Sequence, residues 1–327
     1  MNECLYIVVP CYNEEEVLPI SSKIFINKLT TLIAEKTIST RSKIVFVDDG
    51  STDNTWTIIK ELVRVENCCS GIKLSRNRGH QNALLAGLMT VKSEADIVIS
   101  IDSDLQDDIN AIDLMIDKYQ EGYEIVCGVR SSREEDSIIK RITAQGFYKF
   151  MSLLGVEVQY NHADFRLMSR KALDALGEFK EVNIFLRGII PMVGFRSCSV
   201  EYSRKKRLAG ESKYPLKKML SFAFEGITSL SIKPVRVITM LGFFMLIASI
   251  LFVIYTIIGF AVGNTVAGWV STVLSIWFFG SLQLIAIGVV GEYIGKIYLE
   301  TKSRPRYIVE EYLCKQVTES DNPEGLH

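Results

Sequence analysis

The sequence predicts an α/β protein with a membrane anchor: a mixed, mostly parallel sheet with helices on both faces, then an interfacial amphipathic helix and two transmembrane helices. Three observations predict it. Short β-branched runs alternate with stretches of helical periodicity through the first half of the chain. Those runs are mostly apolar, as in strands buried on both faces. No charged residue occurs between Arg236 and Glu292.

Residues 5–9, 44–47, 71–74, 97–101 and 124–127 read as strands, and residues 14–36, 54–65, 81–91 and 109–119 as helices between them. This α/β domain spans residues 1–213. Leu216, Leu220, Ala223, Ile227 and Leu230 recur at helical spacing beside Lys217 and Lys218, so residues 214–234 read as a helix in the membrane interface. The hairpin region, residues 235–291 and uncharged after Arg236, is divided by "AVGNTVAG" into spans at about 237–260 and 267–290. Each span makes roughly 36 Å of helix, enough for a hydrocarbon core of about 30 Å.

Lys233 and Arg236 precede the hairpin, Lys296, Lys302, Arg304 and Arg306 follow it, and its connecting loop carries no charge. The positive-inside rule then puts the α/β domain, both termini and a tail at residues 292–327 on the cytosolic side of the inner or plasma membrane. Gly291 and Gly295 give the second span a G-x-x-x-G spacing, which suits a homo-oligomer formed through the transmembrane helices.

Composition narrows the partners. Lys plus Arg number 37 against 38 Asp plus Glu, so there is no basic field for nucleic acid. The 7 cysteines fit no zinc spacing and read as reduced packing thiols. "MNECLYIVVP" lacks the basic and apolar regions of a signal peptide.

Chemistry is expected where the strands end, because ligands of open α/β sheets bind at the carboxyl ends. "VVPCYNEEE" (residues 8–16) puts Pro10, Tyr12, Asn13 and Glu14 after the first strand, with Asn13 equally suited to capping a helix. "VDDGSTDNT" (residues 47–55) follows the second strand. Gly50 turns the chain, Ser51 or Asp53 caps a helix, and a carboxylate of Asp48 or Asp49 can accept from a nucleobase N–H. "IDSDLQDD" (residues 101–108) ends the fourth strand in Asp102, Asp104, Asp107 and Asp108. Alternate residues of an extended segment face one way, so Asp102 and Asp104 can meet one hard cation, Mg²⁺ or Mn²⁺, shared with substrate phosphates. His80 reads as a helix cap, and His162 receives no role.

In this order and spacing, these motifs with "LSRNRGHQNALLAG" (residues 74–87) resemble the family 2 glycosyltransferases of GT-A fold. The nearest likeness is the polyprenyl-phosphate branch, which includes dolichol-phosphate mannose synthase and the bactoprenol (undecaprenyl-phosphate) glucosyltransferases. "NHADFRLMSRKAL" (residues 161–173), "RKKRLAGESKY" (residues 204–214) and the membrane pair extend the resemblance over most of the chain. One departure is Arg78, where the branch often has an aromatic residue.

The resemblance implies a nucleotide-sugar donor bound by Pro10, Tyr12, Asn13, Glu14, Asp48, Asp102 and Gln106, with Asp48 reading the base. It implies Mg²⁺ or Mn²⁺ on Asp102, Asp104 and Gln106. Catalysis falls to Asp164, Asp104 and Arg130, with Asp164 as base or acceptor-orienting residue; alternatively it is simply paired with Arg166. A polyprenyl-phosphate acceptor would meet Arg141, Arg207, Ser212 and Lys213 beside Arg130. The reaction implied is inverting transfer, with UDP-glucose and undecaprenyl phosphate favoured over N-acetylglucosamine, galactose or mannose donors. A processive polysaccharide synthase would carry Q-x-x-R-W and more spans, and a nicotinamide dehydrogenase a G-x-G-x-x-G after its first strand. A nucleotide-sensing membrane scaffold would not need Asp48, Asp102, Asp104 and Asp164 together.

Overall fold

The structure, a computed structural model, describes residues 3–130, 162–181, 186–203 and 268–315, and single helical positions between 235 and 251. Arg141, Arg207, Ser212, Lys213, the interfacial helix and most of the first span lie outside the described residues, as does the Arg130 side chain.

Eight strands form one mixed sheet in the order β7-β5-β6-β4-β1-β2-β3-β8. They are β1 (Leu5–Cys11), β2 (Lys43–Asp48), β3 (Cys69–Leu74), β4 (Ile97–Ser100), β5 (Ile125–Arg130), β6 (His162–Ser169), β7 (Ser197–Tyr202) and β8 (Val309–Cys314). The central strands β3, β2, β1 and β4 are parallel to one another. β6 runs antiparallel between β4 and β5, and β8 antiparallel to β3. The helices are α1 (Leu18–Ala34), α2 (Thr55–Val65), α3 (His80–Val91), α4 (Ala111–Gln120), α5 (Arg170–Gly177), α6 (Leu186–Met192) and α7 (Trp269–Lys302).

The pleat sorts the core. Leu5, Ile7 and Val9 of β1 pack in one layer with Phe25 of α1, Ile59 of α2 and Met115 of α4. Tyr6 and Val8 face the other layer, with Leu84 of α3, Leu173 of α5 and Ile189 of α6. That period-2 division is why β1 must be apolar at every position. On α3, Gly87 lets the helix approach the sheet: a Cβ there would press on Val8 and lie 2.8 Å from Val47 Cγ2. Ser169 caps α5, its hydroxyl accepting from the Ala172 N–H at 3.1 Å.

The tail expected after residue 292 is not all tail. Residues 309–314 return to the sheet as edge strand β8, with Ile72 opposite Tyr312 and Ser70 opposite Cys314. All seven cysteines are free.

The other compact unit, residues 143–158 and 214–304, contains α7. α7 is 34 residues long, and its stretch Phe278–Lys302 is the one segment among the described residues long and apolar enough to cross a membrane. Residues 240, 244, 247 and 251 of the expected first span are helical and expose Met240, Phe244, Ile247 and Leu251.

Candidate active site

The parallel strands deliver their carboxyl ends to one edge of the sheet, and the loops there are laced together. Past β1, Asn13 adopts φ 53°, a left-handed conformation that Asn tolerates better than most residues. Its N–H donates to Ser51 Oγ at 3.0 Å, and its side-chain oxygen accepts the Thr52 N–H at 2.9 Å. Glu14 N–H donates to Thr55 Oγ1 at 2.8 Å. Asn13 therefore ties the first loop to the second and does not cap α1, whose N-cap is Val17. Pro10 is buried in β1, while Tyr12 is exposed beside this seam.

At the end of β2 the paired aspartates divide. Asp48 is wholly buried and accepts the Ser51 N–H at 3.3 Å; burial raises its pKa. Asp49, also buried, accepts the backbone N–H groups of Arg78 at 2.7 Å and Gly79 at 2.9 Å. The Arg78 backbone also serves the loop through its carbonyl, which accepts from Asn82 Nδ2 at 2.8 Å. The family departure at Arg78 thus leaves the loop's hydrogen bonds in place.

The acidic stretch after β4 also divides. The Tyr202 hydroxyl of β7 donates to Asp107, and Asp108 Oδ1 accepts the Asn110 N–H at 3.3 Å, next to the start of α4. Asp104 Oδ1 accepts the Gln106 N–H at 3.1 Å around Leu105, which is held at φ 55°. Gln106 is buried. Asp102 keeps about a third of its side chain exposed.

Across from Asp102 stands Asp164. The antiparallel register pairs Ser100 with Arg166, so Asp102, two residues on from Ser100, comes beside Asp164, two residues before Arg166. Asp164 Oδ1 accepts from Arg166 Nη2 at 3.1 Å, while Arg187 of α6 donates through Nε to Oδ1 at 3.3 Å and through Nη2 to Oδ2 at 3.1 Å. His80 Nε2 lies between the two aspartates, 3.4 Å from Asp102 Oδ1 and 3.6 Å from Asp164 Oδ2.

The electrostatics follow. Burial, followed by the charges of Asp164, Asp107 and Asp104, pushes Asp102 up to about 6 despite His80. Burial alone would raise Asp164 too, but His80, Arg187 and Arg166 outweigh it and hold this carboxyl well below the usual range. Burial opposes a charge on His80, yet Asp164 and Asp102 raise its pKa to about 8.

Sequence reading missed His80 and Arg187. His80 begins α3 and also faces the site; its place just past β3 was the available signal. Arg187, in "NIFLRG", had no signal, because only the placement of α6 brings it to β6. The bland pairing of Asp164 with Arg166 is present, and Arg187 and His80 surround the same carboxylate.

Among the described residues, no three His, Cys, Asp or Glu side chains converge as a closed metal cage. Asp102 and Asp104 fit a more open arrangement. Burial, and after it the neighbouring carboxylates, raises the pKa of Asp102; a divalent cation would offset that cost, and hard oxygen donors suit Mg²⁺ or Mn²⁺ completed by substrate oxygens.

The α/β sheet gathers acidic and basic groups past its strand ends, and the comparisons give the family. Residues 6–177 match the glycosyl transferase family 2 profile, and residues 233–297 match the GtrB C-terminal hairpin. The chain belongs to glycosyl transferase family 2 and is a glycosyltransferase. It is 54% identical over 307 residues to an uncharacterized glycosyltransferase, YkoT, of Bacillus subtilis, covering 94% of this chain and 91% of that protein. It is 43% identical to the bactoprenol glucosyl transferase of Shigella phage SfX, covering 93% and 98%. It is 40% identical to a prophage bactoprenol glucosyl transferase homolog of Escherichia coli, covering 93% and 97%.

Proposed function

We propose that the chain transfers glucose from UDP-glucose to undecaprenyl phosphate at the cytosolic face of the inner membrane, inverting the anomeric centre. The observation that carries this reading is the pair Asp102 and Asp164 sharing His80, the second also held by Arg166 and Arg187. The likeness to bactoprenol glucosyl transferases over nearly the whole chain supports the choice of substrates.

The acceptor's phosphate oxygen attacks the anomeric carbon in line, and UDP leaves. A phosphate monoester with a second pKa of about 6 is already anionic at neutral pH, so little proton abstraction is required. The main demand is to stabilise the leaving diphosphate. Mg²⁺ or Mn²⁺, held by Asp102 and Asp104 with Gln106 nearby, would supply charge neutralisation there. Pro10, Tyr12, Asn13, Glu14 and Asp48 would frame the nucleotide. Arg130, Arg141, Arg207, Ser212 and Lys213 would meet the acceptor phosphate.

The two-span anchor is supported by the path of the chain. β1 and β8 share one sheet, so any membrane crossings between them are even in number. α7 can supply one, and the match of residues 233–297 to a hairpin family supports a partner shortly before it.

The test is transfer by purified full-length protein to undecaprenyl phosphate, using radiolabelled UDP-glucose, UDP-N-acetylglucosamine, UDP-galactose and GDP-mannose in parallel. Label should pass to the organic phase from UDP-glucose. Transfer from another donor corrects the sugar, and no organic product from any of them rejects the acceptor.

A further inference from the structure

We propose that Arg187 is a binding residue for the acceptor's phosphate and that Asp164 is its positioning carboxylate, not the proton acceptor; this rests on the acceptor being a phosphate, as proposed above. Arg187 meets Asp164 with two nitrogens in the fork geometry that fixes a guanidinium plane. Arg166, the other cation on Asp164, has a side chain only 3% exposed and is committed to the strand interior. The Arg187 side chain is 33% exposed, which makes it the more open of the two cations on Asp164.

Its location suits the reaction. His80 touches both Asp102 and Asp164, so two side chains, Asp164 and His80, link Arg187 to the donor-side carboxylate. The attacking oxygen must arrive close to the departing diphosphate, which brings a second anion into a cluster already rich in carboxylates. A cation on the acceptor side offsets that repulsion, and a guanidinium presents parallel donors matched to phosphate oxygens. The neighbouring backbone is anchored as well. The Leu186 N–H donates to Gln81 Oε1 at 3.1 Å, linking α6 to the start of α3 beside His80.

The same geometry argues against Asp164 as a base. Its oxygens already accept three donor contacts from two arginines, and a carboxylate so surrounded is a weak proton acceptor. Its contribution is to hold the guanidinium in place, much as a carboxylate orients a ligating histidine.

The experiment uses full-length protein in detergent, with initial rates measured against undecaprenyl phosphate and UDP affinity measured by calorimetry with Mn²⁺. Arg187→Gln should raise the KM for undecaprenyl phosphate by about tenfold or more while UDP affinity stays unchanged. Arg187→Lys, which keeps the charge without the fork, should fall between the two. Asp164→Asn should raise the same KM and lower kcat by less than about tenfold. An unmoved acceptor KM in both Arg187 variants overturns the inference, as does a loss of UDP affinity in soluble, cooperatively unfolding Arg187→Lys. A kcat loss of about a thousandfold at unmoved KM in Asp164→Asn would restore the base. If the wild-type protein itself transfers nothing to undecaprenyl phosphate, the acceptor reading falls and takes this inference with it; an active wild type isolates the failure to Arg187.

Discussion

The carboxylate of Asp49 accepts the backbone N–H of Arg78 at 2.7 Å, and through that bond the end of β2 determines where α3 begins. His80 stands two residues later, so a buried aspartate outside the site sets the position of a side chain within it. Gly50 completes the junction. It holds φ 65°, and a Cβ there would lie 2.5 Å from the Arg76 carbonyl carbon.

Gly50→Ala should therefore destabilise the domain by about 1–3 kcal/mol, from positive φ and a backbone clash that no rotamer relieves. Asp49→Ala should cost a similar ~1–3 kcal/mol by taking the acceptor from two part-buried N–H groups. Thermal unfolding of the full-length proteins checks both. Wild-type midpoints in either variant would mean that this junction relaxes freely.

Asp104→Asn keeps the side-chain shape while removing a donor-side charge. Transfer should fall about a hundredfold or more, the order of one lost charge-stabilising contact. Metal-dependent UDP binding should weaken in parallel. Chelation of wild-type protein with EDTA should abolish transfer, and Mg²⁺ or Mn²⁺ should restore it. Full activity in chelator would remove the metal from the mechanism.

Asp164 links stability to pH with a definite sign. Its folded-state pKa is depressed, so its contribution is fully present above its unfolded value, about 4, and is lost as pH falls through the folded value. Asp164→Asn should cost about 3 kcal/mol at pH 7, because Arg166 would remain buried without its counter-charge. The difference from wild type should shrink progressively below about pH 4. Denaturant titrations at pH 7 and pH 3 measure it, and a gap that widens in acid contradicts the assignment.

Ending the chain after Lys302 removes β8 while keeping both apolar segments. The truncated protein should still sediment with membranes, but its sheet should become more sensitive to protease, because β3 would gain a bare edge. Limited proteolysis of membrane vesicles tests this. Equal resistance would make β8 dispensable.

Gly291→Leu with Gly295→Leu tests association through α7. No side chain or backbone among the described residues lies within 4 Å of a Cβ built at either position. If small residues seat a second copy, the double variant should shift from oligomer to monomer by light scattering with detergent correction. A monomeric wild type would end the idea of a homo-oligomer.

The sequence revealed what burial makes conspicuous. β1 to β5 were legible because strands covered on both faces are apolar over most of their length, and the helices between them kept their periodicity. β7 and β8, "SCSVEY" and "VEEYLC", alternate or carry charge because they lie at the sheet's edges, so neither stood out. β6 was obscured differently. Its Asp164 and Arg166 share one face and neutralise each other inside the fold, a compensation invisible without their geometry. Asp102 and Asp104 were legible as a pair after a strand. The roles of Asp107 and Asp108 required seeing Tyr202 and Asn110, and Arg187 required knowing where α6 lies.

The strand β8 also imposes a schedule on synthesis. β3 is complete once residue 74 has emerged, yet the strand that covers its edge ends at residue 314. At ribosomal rates of about 5–20 residues per second, the gap is on the order of tens of seconds. Throughout that interval the nascent sheet presents an unpaired strand, an invitation to the wrong partner. The apolar segments must be made before the covering strand can arrive, so cells slow to insert them should accumulate chains with that edge still open. A defect in membrane insertion would then appear first as aggregation.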